Sequence, residues 1–346
     1  MGIGSSKVFV TMNGLRGIAA MVVVAFHWFR GLPNGYLAVD FFYVLSGFVI
    51  AHAYEQRLQN GLSLRGFLAI RLTRLYPLYF IGVAASIFVV VASFAAKGEI
   101  IPAELTAFQS IPFAVLMLPS PGTTELYPLN YPAWSLFFEL VANIVYAASF
   151  RLWTTARILI LVTVCGVGMI VHQIAYGSLY GDGGFDWPSF WLGFVRVFFS
   201  FPAGVLIYRL RVTNSYTAPR VPGFVIAVLL LAALVTSRPE IPPIDVFLVF
   251  PLLVFLSAES EPPARLLPLF VSLGSASYAI YILHEPIHRI MSAVLTKLGM
   301  TVGASADMAI FALIIPICLW LDQSYDSPLR LWLKSRLAPV GQAKTV

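Results

Sequence analysis

The chain has 346 residues, 59% of them hydrophobic and 11% charged, with 22 Lys and Arg against 16 Asp and Glu. Soluble domains carry about 25% charged residues, so this composition excludes an ordinary soluble globule, and a net charge of +6 gives no ground for a nucleic-acid partner. Many apolar runs of near-span length instead predict an all-α polytopic membrane protein.

In chain order, about ten transmembrane helices are predicted, over 14–30, 36–54, 75–96, 133–150, 156–176, 189–208, 222–236, 243–257, 268–289 and 302–321. The seventh and eighth are short. Lys7 ahead of the first run resembles a signal peptide, but Arg16 and His27 interrupt that run and a second span follows at once, so it reads as a retained span. Between the second and third spans, Ser63–Pro77 carries Leu64, Phe67, Leu68 and Leu72 as an apolar stripe, the pattern of a helix lying at the membrane surface. The apolar piece Ile111–Leu118, bracketed by Pro112 and Pro119, is too short to cross and belongs to the loop before the fourth span. Fifteen basic residues fall in segments placed inside, against Arg30, Lys97, Arg238, Arg289 and Lys297 outside, so both termini are expected in the cytoplasm. The whole of 1–346 reads as one membrane domain, with 322–346 as a cytoplasmic tail and no fused soluble domain. Cys165 and Cys318 lie in apolar runs and give no disulfide framework.

Ionisable residues inside such spans are costly and usually face a cavity or a partner. On the predicted topology His27, Asp40, Glu139 and His284 come from four spans to one level near the outer surface. His27 is the natural proton-transfer residue, because imidazole titrates near neutrality. A carboxylate, either Asp40 or Glu139, is expected to fix its tautomer. Arg16 stands eleven residues before His27, about three turns along one helix face, and the two are expected to line one pocket. At the inner surface Arg71 and Arg74 share a face, a geometry that suits either phosphate binding or simple anchoring to anionic lipid. Ser46 with Gly47 reads as a close-packing pair, whereas Trp134 and Ser135 either shape the site or anchor their span. Arg196 needs a partner that the sequence does not name. No metal-ligand spacing, phosphate-binding loop or nucleophile elbow is present.

These residues, taken together, resemble the acyltransferase 3 family of integral membrane acyltransferases. The resemblance rests on L-R-G-I-A-A-M-V-V-V-A-F-H at 15–27, V-D-F-F-Y-V-L-S-G-F at 39–48, R-L-T-R-L-Y-P at 71–77, P-A-W-S-L-F-F-E at 132–139 and S-Y-A-I-Y-I-L-H at 277–284. It implies transfer of an acyl group, usually acetyl, from cytoplasmic acyl-CoA to a hydroxyl of an extracytoplasmic or lipid-linked glycan such as exopolysaccharide or O-antigen. His27 matches the family's essential histidine and Arg16 its paired arginine. Arg71 and Arg74 match the pair that meets the donor. Asn13 stands where the family usually has Asp, and Tyr43 where a second Phe is common. On this reading His27, Asp40 and Glu139 are catalytic, with His27 either deprotonating the acceptor hydroxyl or carrying the acyl group itself, and Arg16, Arg71 and Arg74 bind the donor. Ser46, Trp134, Ser135, Tyr281 and His284 line the pocket. The enzyme holds no bound cofactor or metal; acyl-CoA is a substrate. Its setting is the bacterial inner membrane, among lipid, with a separate periplasmic or glycan-assembly partner delivering the acceptor. Two rivals remain at this stage: a proton-coupled transporter or flippase, and a non-catalytic assembly subunit.

Overall fold

The structure is a computed structural model that describes residues 9–29, 32, 34–97, 102–176, 183–213, 220–236, 244–301 and 303–337. Twelve α-helices account for the described fold: α1 (Val10–Trp28), α2 (Ala38–Gln59), α3 (Leu64–Lys97), α4 (Pro102–Val115), α5 (Ala133–Ser149), α6 (Thr155–Tyr176), α7 (Phe190–Tyr208), α8 (Gly223–Thr236), α9 (Phe250–Ser257), α10 (Leu267–Lys297), α11 (Ala304–Leu321) and α12 (Ser327–Leu337). Among the described residues eight helical stretches are long and apolar enough to cross a membrane. The two spans expected to be short appear as the shorter apolar helices Gly223–Thr236 and Asp245–Ser257, the latter opening with a π-helical turn before α9. Lys7, Arg30, Arg238 and Lys344, which entered the orientation argument, lie outside the described residues.

Small residues decide which helices form the centre. The most extensive packing is α1 on α10 and α2 on α7. A Cβ at Gly17 would overlap the Leu273 backbone, and one at Gly274 would overlap Asn13, so α1 and α10 meet backbone to backbone. Likewise a Cβ at Gly47 would strike the Phe201 carbonyl and one at Gly204 the Val44 carbonyl. Such close approach lets dispersion replace the hydrophobic drive that lipid does not supply. By contrast α6 and α11 are largely exposed, with Ile160, Val164, Ile174, Met308 and Leu313 on the surface that hydrocarbon would cover.

One expected boundary is corrected, and the expected tail gains a structure. The predicted surface helix Ser63–Pro77 is not separate: α3 runs unbroken through 34 residues with Pro77 inside it. Proline removes one hydrogen bond and its ring crowds the carbonyl four residues back, yet the helix continues and the apolar stripe flows straight into the span. The expected tail after residue 321 is helical to Leu337, linked to α11 by a π-helical turn at Asp322–Asp326 that aims α12 back onto α3. Residues 338–346 of that tail lie outside the described residues. The short apolar piece near Ile111 lies in α4, which is 14 residues long. Its final carbonyls accept hydrogen bonds from Tyr76 (to Val115, 2.8 Å) and Tyr79 (to Ala114, 2.6 Å), while Tyr127 caps Met117 at 2.8 Å. Those bonds satisfy the helix end that hydrocarbon or a tight core would leave orphaned.

Candidate active site

Four arginines from three helices gather at one end of the bundle. Arg16 of α1 donates from Nε to Ser277 Oγ at 2.7 Å and from Nη2 to the Gly274 carbonyl at 3.0 Å, so α10 holds it in place. Arg71 of α3 is buried and pairs with Glu139 of α5 at 3.1 Å; Ser46 Oγ donates to the same Glu139 oxygen at 2.7 Å. Arg74, one turn on, makes no hydrogen bond or ion pair to another described residue although it is half-buried. Arg330 of α12 is fixed by Asp322 at 3.0 Å and Asp326 at 2.9 Å.

Two cavities meet between these arginines. One, of about 410 Å³, is lined mainly by polar residues, among them Asn13, Arg16, Arg74, Ser275, Ser327 and Arg330. The other, of about 300 Å³, shares Asn13, Arg16 and Arg74 with it and continues inward past Phe42, Leu45 and Val49. Ser46, Arg71 and Glu139 lie on its wall, and Ser135 and Tyr281 are also among its lining. The path therefore passes from a cationic mouth into an apolar barrel.

Tyr281 also borders a third, small cavity of about 40 Å³ that His27 lines with Tyr36, Tyr131, Trp134 and Arg196. The Tyr281 and Ser135 hydroxyls stand 2.5 Å apart. Arg16 and His27 thus lie on one helix but line different cavities, with Tyr281 common to the second and third, rather than one open pocket.

The expected orienting carboxylates of His27 are corrected by the geometry. Asp40 is fully buried and holds Arg196 of α7 through two hydrogen bonds, at 2.8 and 3.2 Å. Arg196 also donates to the carbonyls of Gly183 at 2.8 Å and Tyr36 at 3.3 Å, and lies 5.3 Å over the Trp134 ring. Asp40 is the ion partner of Arg196 that the sequence left open. Glu139 lies with Arg71 on the wall of the larger inner cavity. The groups beside His27 are His284, with ring centroids 5.1 Å apart, Tyr131 at 5.7 Å, and the carboxylate of Glu285. Of the four titratable residues expected at one level, the structure brings His27 and His284 into contact and sends Asp40 and Glu139 to separate arginines. Sequence reasoning did not single out Glu285, although it follows His284 directly, or Arg330, which registered only as one more basic residue. Among the described residues one His/Cys/Asp/Glu group has metal-binding proximity, formed by His27, His284 and Glu285.

Comparison with known proteins places the chain in a family. Residues 9–322 match the model of a family described as an acyltransferase domain. The chain is 39% identical to "Protein 2 in picA locus" of Rhizobium radiobacter over 48% of its own length and 94% of that protein. It is 26% identical to "Exopolysaccharide production protein ExoZ" of Rhizobium meliloti (strain 1021), over 81% of this chain and 84% of the relative. A "Putative acetyltransferase ORF330" of Acidianus two-tailed virus is 24% identical over 85% and 87% of the two chains. No solved structure matches significantly. With the family model spanning nearly the whole helical bundle, the chain belongs to the acyltransferase 3 family and is an integral membrane acyltransferase.

Proposed function

We propose that this enzyme moves an acyl group, acetyl for preference, from acyl-CoA to a hydroxyl of an extracytoplasmic or lipid-linked glycan. The observation that carries the reading is the run of cavities from an arginine-lined mouth, through an apolar barrel, to Tyr281 and His27. A donor with an anionic nucleotide head, a long thin arm and a reactive thioester at its tip has that same order of parts. Arg16 and Arg74 receive the phosphates. Arg74 is the freest of the four, and arginine suits phosphate oxygens through its fork of donors. Arg71, paired with Glu139, borders the barrel and meets the arm.

His27 lies about 16 Å from Arg16 along α1, so an extended donor places its thioester near the imidazole. His27 takes the proton from the acceptor hydroxyl as the hydroxyl oxygen attacks the thioester carbon. The new C–O bond replaces the C–S bond, and the same proton passes to the departing thiolate. Atoms and charge balance without a further reactant. The Tyr281 hydroxyl, at the junction of the two cavities, faces the reacting carbonyl. The acceptor is read as a glycan because one relative is named for exopolysaccharide production. The arginine mouth faces the cytoplasm of the bacterial inner membrane, where acyl-CoA is made, and a separate periplasmic or glycan-assembly protein presents the acceptor.

The test uses membranes containing wild type or His27→Ala, supplied with radiolabelled acetyl-CoA and host glycans. Label entering the glycan with wild type and falling by about 10²–10⁴-fold in the variant, the range for loss of an acid–base group, is the expected result. Equal incorporation by the two proteins would refute the assignment of His27.

A further inference from the structure

One nitrogen beside His27 has no place in that scheme. His284 Nδ1 lies 2.8 Å from the Tyr281 carbonyl and 3.3 Å from that of Ile280. Carbonyl oxygens only accept, so these partners assign the proton to Nδ1 and leave Nε2 a bare lone pair. The side chain is 0% exposed, and Nε2 has no hydrogen-bond partner. Its nearest charged neighbour, Glu285 Oε1 at 4.0 Å, is another acceptor when ionised and gives it no proton. A buried polar atom left in this state is uncommon in a folded protein and calls for a physical reason. His27 supplies the third side: ligand atoms of His27, His284 and Glu285 all lie within 4.8 Å of one another.

We propose that these three residues form a binding site for a divalent ion of the zinc class. Two imidazoles and one carboxylate are a donor set that suits Zn²⁺, with a fourth position left open for water. The Nδ1–H bond to a backbone carbonyl is the outer contact that ligating histidines keep; it fixes the tautomer and presents Nε2 to the metal. Zn–N and Zn–O bonds of about 2.0–2.2 Å place tetrahedral ligands roughly 3.5 Å apart, so side-chain adjustments of about an ångström close the site. The ligands sit on α1 and α10, whose backbones are locked together through Gly17 and Gly274, the rigid support such a site needs. Three ligands spread over 258 residues leave no motif in the sequence, unlike a local metal-binding spacing.

The site rests on the function proposed above in one respect: an ion on His27 occupies the lone pair that accepts the hydroxyl proton. The ion therefore inhibits acyl transfer. Purified full-length protein in lipid nanodiscs, stripped with a chelator, is titrated with Co²⁺, whose histidine-bound form absorbs visible light, and the Co²⁺ is then displaced with Zn²⁺. One ion per chain is expected, with affinity reduced more than about 100-fold in His284→Ala and in Glu285→Gln, beyond the usual cost of an outer-shell change. Glu285→Gln keeps the side-chain volume and decides the matter if His284→Ala does not fold. No ion bound by wild type, or equal binding by Glu285→Gln, overturns the site. Stripped wild type should transfer label while Zn²⁺-loaded wild type does not; full activity of the loaded enzyme overturns the inhibitory role. Ion binding without any acyl transfer would count against the proposed function alone, and transfer without ion binding against the site alone.

Discussion

Two arginine–carboxylate pairs divide this molecule between fold and chemistry. Asp40 and Arg196 have side chains 0% and 1% exposed, closed in by Trp134 and the carbonyls of Tyr36 and Gly183. Arg71 and Glu139 have the same chemistry at 3.1 Å, but their side chains are 7% and 20% exposed on the wall of a cavity of about 300 Å³. The first pair borders only the small cavity of about 40 Å³, through Arg196, and joins α2 to α7. The second can exchange partners with whatever enters. Residue type alone does not separate a structural ion pair from a functional one; the empty space beside it does.

The sharpest way to break that contrast is to remove one carboxylate from each pair. Asp40→Ala strands a buried guanidinium, and breaking a buried pair in this way costs about 3–5 kcal/mol. Loss of folded protein is expected on size-exclusion chromatography, with a large drop in thermal midpoint. Replacing both partners, as Asp40→Leu with Arg196→Met, should recover much of that stability, since an apolar pair is often as good. Glu139→Gln should fold normally, because the cavity lets water reach Arg71, and lose activity instead. If Glu139→Gln unfolds the chain as severely as Asp40→Ala, the division into structural and functional pairs is wrong.

A smaller effect sharpens the cationic end. Arg74→Gln removes the guanidinium that has no hydrogen bond or ion pair to another described residue. A hydrogen bond to a charged group contributes about 1.5–3 kcal/mol, so the donor KM should rise by roughly 10–100-fold with kcat nearly unchanged, as for interactions present equally in ground and transition states. Initial rates across donor concentrations check this. A fall in kcat with unchanged KM would move Arg74 from the donor's head to the reacting centre.

How much of this was legible follows from what hydropathy measures. It gives depth along the membrane normal, and depth was enough to place Arg16, Arg71 and Arg74 towards one end and His27 with His284 towards the other. It carries no information about which helices touch. Asp40 was read as a partner of His27 because the two share a level, whereas Gly47 and Gly204 bring α2 against α7 and hand Asp40 to Arg196, 156 residues away. Glu139 was misplaced for the same reason. Glu285 went unnoticed because a carboxylate next to a proline near a span end looks like an ordinary boundary residue. Arg330 was counted among anchoring charges; its approach to Arg74 depends on the turn at Asp322–Asp326, whose π-helical form has no signature in composition.

The smallest expected change tests the junction between the two inner cavities. The Tyr281 hydroxyl is 2.5 Å from Ser135 Oγ and 3.3 Å from the Pro132 carbonyl, while the ring packs edge-on to Phe42 at 5.3 Å. Tyr281→Phe keeps the ring and deletes only the hydroxyl. Ser135 keeps its own contact to Pro132 at 3.4 Å, so its hydroxyl is not stranded. The cost to stability should be that of one neutral hydrogen bond, about 1 kcal/mol. If the hydroxyl faces the thioester carbonyl, kcat falls by roughly 5-fold, the rate equivalent of a bond of that strength, and KM for the donor stays put. A rise in KM alone would make Tyr281 a wall of the donor barrel. An unchanged kcat and KM would leave it as packing between α5 and α10, and the path from the arginines to His27 would then need no polar gate.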